Sequence, residues 1–136
     1  PGRPGPRRAC GRPPGGRLVH VMNYSCDGDL FAAWAEATCR GRVSQDLGKR
    51  HNAAVIFKRS RGAGQVITRY EGLERLLSHF GEHIAHIELT PIGAPRRDWR
   101  KIIVGDGWIV ARHPDLTATL EIADRFSAEF EIRADG

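Results

Sequence analysis

The sequence predicts an α+β fold, a mainly antiparallel sheet with flanking helices. Three observations carry this. Ala53, Val55 and Phe57 fall on one face of a strand by their period of two, and Val66, Thr68 and Tyr70 repeat the pattern. Leu73, Leu76, Leu77 and Phe80 recur instead at the three- and four-residue spacing of an amphipathic helix. Two short glycine turns, Gly62-Ala63-Gly64 and Gly105-Asp106-Gly107, separate strand-like runs closely enough for hairpins, which join antiparallel strands.

The elements follow in order. Leu18–Met22 reads as a short strand. Asp27 or Asp29 then caps a helix whose Leu30, Ala33, Trp34 and Ala37 share a face and which Gly41 ends. Residues 42–51 are a polar connection. Residues 53–70 read as a hairpin, residues 73–80 as a helix closed by Gly81, and His83–Leu89 as a strand with Ala85, Ile87 and Leu89 facing one way. A loop from Pro91 to Arg100 precedes a second hairpin, Lys101–Val104 with Trp108–Arg112. Pro114-Asp115 opens a last helix with Leu116, Leu120 and Ala123 on one face, and residues 130–133 end as a strand. After the first helix the order is therefore ββα-βββ-αβ, which suits an antiparallel sheet covered by helices better than a doubly wound one.

Composition narrows the function classes. The chain has 136 residues, 40% of them hydrophobic, enough for a core, and no apolar run approaches the roughly 18 residues of a membrane span. The net charge of +5 is concentrated at one end. Residues 1–17 hold five arginines, five of the eight prolines and no acid, and the remainder carries 16 basic and 16 acidic residues. Residues 1–17 are thus a basic tail without a core of its own, or a truncated active-site strand and loop, and residues 18–136 are the folded part. Nucleic-acid binding is not expected of so neutral a body. Cys10, Cys26 and Cys39 include no CxxC pair, which favours a reducing cytoplasm. The chain begins with Pro, so either it is cut from something longer or its first residues are not a natural start.

Several motifs invite a chemical reading. His79-x-x-Glu82-His83 has the spacing of an inverted zinc-protease motif, but Gly81 breaks the helix such a site needs, so no metal site is expected. Cys26 and Cys39 read as packed or bystander thiols. Arg96, Arg97, Arg100 and Lys101 around Trp99 could grip phosphate or stack a base; a solvated loop anchored by the tryptophan is the simpler reading. Arg12-Pro13-Pro14-Gly15-Gly16 is the most informative stretch. Two prolines limit the loop, two glycines let backbone approach a ligand, and a guanidinium makes paired hydrogen bonds to phosphate or carboxylate oxygens.

With the Met22-Asn23-Tyr24-Ser25 and Asp27-Gly28-Asp29-Leu30 segments and the Trp34 helix behind it, this loop resembles the end of an ATP-grasp carboxylate ligase. The pattern and order of residues 12–133 resemble the C-terminal subdomain of such enzymes. They join a carboxylate to an amine or thiol through an acyl-phosphate, using ATP and Mg2+. The resemblance implies a catalytic role for Arg12, as an anion clamp, and substrate contacts for Pro13, Pro14, Gly15, Gly16 and Asn23. It also implies that a small-molecule carboxylate and ATP are held mainly by an upstream domain. Counting back from Arg12, Arg8 and Cys10 stand where the family's metal-binding Glu and Asn belong, and neither suits a hard cation. The chain alone should therefore bind neither ATP nor Mg2+ tightly and should not turn over; self-association stays open. The rival reading is a small non-catalytic α+β module whose basic arm contacts RNA or an acidic partner.

Overall fold

The computed structural model describes residues 17–98, 100–102 and 104–136. They divide into two compact units meeting in sequence at Arg50 and His51.

The first unit holds helices α1 (Arg17–Cys26) and α2 (Leu30–Arg40). The expected strand over residues 18–22 is helix. Its valines suggested a strand, yet Val19, Asn23 and Cys26 fall at i, i+4 and i+7, and Val19 and Cys26 are buried. Cys26 is accordingly the last residue of that helix, packed as a buried thiol. Asp29 caps α2: its Oδ1 accepts from the N–H groups of Phe31 (2.9 Å) and Ala32 (3.1 Å). Gly41, at φ +69°, closes the helix as expected and donates its N–H to Ala37. The polar connection then folds back, Ser44 donating twice to Glu36 and Gln45 exchanging two hydrogen bonds with the Asp29 backbone.

The second unit contains β1 (Asn52–Lys58), β2 (Arg69–Glu71), α3 (Leu73–Phe80), a 3-10 turn (Gly81–His83), β3 (Ile84–Leu89), β4 (Gly107–His113), α4 (Leu116–Glu129) and β5 (Glu131–Arg133). A three-stranded sheet has the order β1-β4-β3, and a two-stranded sheet pairs β2 with β5; every pair is antiparallel. The α+β architecture and its flanking helices are as the sequence predicts. Ile56, Ile109 and Ala111 from the larger sheet meet Leu76 of α3, Ile122 and Phe126 of α4, and Phe130, Ile132 and Ala134 from the chain's end. Phe126 and Phe130 are fully buried, and a side chain of that size contributes about 3 kcal/mol by leaving water.

Strand partners are where the expectations fail. Residues 53–70 do not form a hairpin: β1 pairs with β4, Ile56 opposite Ile109, and β2 pairs with β5, Tyr70 opposite Ile132. Gly62 (φ +110°) and Gly64 do not turn one strand back on the other. They let the chain press against the Ala134 backbone, where even a Cβ on Gly64 would lie 2.7 Å from the carbonyl oxygen. Nor do Lys101, Ile102 and Val104 lie in a strand. Gly105 (φ +73°) turns the chain so that Asp106 N–H reaches the Lys58 carbonyl (2.8 Å), and β4 starts at Gly107 between two distant partners. Among the described residues of this unit five strands stand where six were expected.

Helix α4 is also rotated from its apolar pattern. Thr119, Ile122 and Phe126 are buried, whereas Leu116 and Leu120 are 55% and 53% exposed. The threonine can go inside because its hydroxyl donates to the Asp115 carbonyl (2.9 Å). Asp115 caps the helix, as expected, by accepting from Thr117 N–H.

Candidate functional site

The site begins with a buried carboxylate. Asp106 precedes β4 and is 3% exposed. Its Oδ2 accepts from both the backbone N–H (2.8 Å) and the hydroxyl (2.7 Å) of Ser60, and its Oδ1 accepts from Arg97 N–H (2.7 Å). Burial by itself would raise the pKa of this carboxyl. The Ser60 and Arg97 hydrogen bonds and the nearby Arg96 charge outweigh that effect and hold it below the usual carboxylate range. One side chain thus ties together the segment after β1, the loop after β3 and the start of β4.

Arg96 makes the complementary tie. Its guanidinium donates to the carbonyls of Ser60 (2.7 Å), Gly62 (2.9 Å) and Gly64 (3.1 Å), three acceptors that the curved 60–64 segment turns toward one point. Arg97 reaches Glu88 only at 3.4 Å. Between these two loops lies an open cleft of about 690 Å3 whose wall carries Arg59, Arg96, Arg97 and Arg100, with Ser60 and Gln65. Its carboxylates are Asp98, which accepts from Arg100 N–H, and the inward-turned Asp106. The chemistry of such a wall is fixation of an anion, not proton transfer.

The residues singled out in the sequence are placed otherwise. Arg12, Pro13, Pro14, Gly15 and Gly16 lie outside the described residues. Asn23 sits on α1, and its Oδ1 accepts from Leu30 N–H (2.9 Å), adding a second acceptor at the start of α2. The 96–101 run is less solvated than its charge suggests, since Arg96 and Arg97 are partly buried and bonded to backbone or Glu88. Asp106 went unnoticed because an acid between two glycines reads as turn chemistry. The available signal was an acid and four arginines with no helical or strand periodicity to explain them.

The histidines of the zinc-protease spacing separate. His79 is exposed at the end of α3, whereas the His83 ring lies 4.6 Å from that of His113, edge to face. Among the described residues no group of three or more His, Cys, Asp or Glu side chains is placed to hold a metal ion. Among those residues, too, no helix is long and apolar enough to cross a membrane.

No protein-family model matches the sequence, and no curated protein matches it. Solved structures do. The chain is similar to the L-amino acid ligase from Bacillus licheniformis, with a TM-score of 0.61 and 12% identity, over 84% of this chain and 29% of that one. It is also similar to the N5-carboxyaminoimidazole ribonucleotide synthetase from Thermotoga maritima, with a TM-score of 0.56 and 16% identity, over 88% of this chain and 31% of that one. At such identities the likeness is one of fold. The class it defines is an α+β fold with antiparallel sheets and flanking helices, shared with a part of each of these two proteins. The chain spans less than a third of the length of either protein.

Proposed function

We propose that this chain is the C-terminal part of an ATP-dependent ligase that joins a carboxylate to an amine or thiol through an acyl-phosphate. One observation carries the reading: most of the chain follows the fold of a part of two solved proteins, one an L-amino acid ligase and the other a synthetase. The Arg12-Pro13-Pro14-Gly15-Gly16 sequence supports it independently, because a guanidinium can stabilise charge on a transferring phosphoryl group or a tetrahedral centre. In this reading Arg12 is the anion clamp, residues 13–16 and Asn23 border the carboxylate, and residues 18–136 form the closing subdomain.

ATP and magnesium belong to a more N-terminal part of the enzyme. Arg8 and Cys10, at the positions of the family's metal-binding Glu and Asn, have the wrong donors for magnesium. The isolated chain is then inactive, and its setting is the cytoplasm.

The test restores the coding sequence upstream and measures carboxylate-dependent release of phosphate from Mg-ATP. Ligation is expected, with a loss on the order of 100-fold or more in kcat for Arg12→Ala. Unchanged turnover in that variant overturns the role of Arg12. Failure of the restored protein to bind ATP overturns the ligase reading itself.

A further inference from the structure

We propose that the arginine-walled cleft after β1 and β3 is a binding site for the phosphate group of a small molecule. The site uses residues 59–106 alone and does not depend on the Arg12 loop or on the ligase reading.

The cleft is built before any ligand arrives. Asp106 and Arg96 together hold six hydrogen bonds that fix the 60–64 segment and the start of the 96–100 loop, so their own polar atoms are largely committed. Arg59 is different. Its guanidinium has no hydrogen bond or ion pair among the described residues, although the side chain lines the cleft. Arg97 keeps one contact, to Glu88 at 3.4 Å, beyond the roughly 2.7–2.9 Å of a strong charge-assisted bond. A ligand oxygen can therefore recruit both guanidinium groups without dismantling the framework.

Charge selects the ligand class. Four arginines face two carboxylates in the wall, and Asp106 turns its charge inward onto three donors. Even with Glu88 beside Arg97 the wall keeps a net positive charge, and a phosphate monoester, with more charge and more acceptor oxygens than a carboxylate, takes it up more fully. Planar arginine forks also fit phosphate oxygens two at a time. Size excludes a continuous surface for nucleic acid: about 690 Å3 is the volume of a small-molecule site, large enough for a nucleoside monophosphate or a sugar phosphate.

The experiment titrates the chain with inorganic phosphate, AMP and acetate by calorimetry at physiological salt. The expected result is saturable binding of phosphate and AMP at one site per chain, with acetate much weaker. Affinity for AMP should rise from pH 5.5 to pH 7.5, as its phosphate monoester passes its second ionisation at about 6. AMP binding well above that of inorganic phosphate identifies a nucleotide site, and equal binding identifies a site for the phosphate alone; both support the proposal. Arg59→Gln should weaken binding at least tenfold while leaving the thermal midpoint unchanged, whereas Arg42→Gln, at an exposed arginine outside the cleft, should do nothing. Absence of saturation by about 10 mM overturns the proposal. So does equal weakening by Arg42→Gln, or binding of single-stranded RNA with no binding of AMP, either of which marks diffuse electrostatic attraction.

Discussion

Replacing Asp106 by asparagine keeps the shape of the side chain and removes its charge. The carboxylate accepts three hydrogen bonds at 2.7–2.8 Å, all in a place almost closed to water. Asparagine can still accept the one from Arg97 through its oxygen, but its amide then faces the two Ser60 donors. The hydroxyl can rotate to accept; the Ser60 N–H cannot. A buried donor left without an acceptor costs about 1–3 kcal/mol, and the weakened bond to Arg97 adds to it, so we expect a loss of about 3 kcal/mol at pH 7. In a unit of this size that lowers the thermal midpoint by roughly 12–24 °C. Urea denaturation followed from pH 7 downward adds a second signature. Because the folded-state pKa is depressed, the wild-type advantage is full above the ordinary carboxyl value of 3.8 and is lost as pH falls through the lower folded value. The gap between wild type and Asp106→Asn should therefore be flat from pH 7 to about pH 5 and should shrink below about pH 4. A gap under about 1 kcal/mol at pH 7, or one that stays constant into acid, would refute the argument.

Two further substitutions probe the same half of the chain. Gly72 caps α3 at φ +78°, and a Cβ there would run into the Glu129 carbonyl, so Gly72→Ala should cost about 2–4 kcal/mol in a denaturant titration. A cost below about 0.5 kcal/mol would mean that the α3–α4 approach is looser than described. Arg96→Lys keeps the charge but cannot span three carbonyls; it should cost about 1–2 kcal/mol and speed amide exchange at Gly64 and Ser60. Unchanged exchange at both amides would show that the 60–64 segment is held by other means.

The kind of fold was readable in the sequence, and the partners were not. Helices with strong local signals came out where expected, α2 between Asp29 and Gly41 and α3 ending at Phe80, since caps and periodicity act within a few residues. Strand periodicity likewise located β1, but alternation says which residues share a face and nothing about which strand lies opposite. β1 and β2 were joined on the strength of glycines that instead serve close packing against Ala134. Leu116 and Leu120 misled for a related reason: hydrophobicity alone cannot tell a core stripe from an exposed one when a threonine can satisfy its hydroxyl inside. The Asp106–Arg96 arrangement depends on residues ten apart in sequence meeting a third segment some 40 residues away, and no local pattern encodes that meeting. The Arg12 loop, the stretch that spoke most clearly in sequence, lies outside the described residues.

The strand pairing governs how this half of the chain must acquire its structure in time. Tyr70 waits for Ile132 and Ile56 for Ile109, so neither β1 nor β2 finds its partner until most of the unit is available. Phe130, Ile132 and Ala134, all fully buried, arrive last. Closing such long loops consumes chain entropy before burial returns it, which makes for slow, all-or-none folding rather than growth from one end. A chain stopped at Glu129 would retain every helix segment of the unit and still lack the residues that seal its core, leaving β2 with an unpaired edge. Such a species is prone to aggregation and proteolysis, so the integrity of this unit depends on residues 130–134.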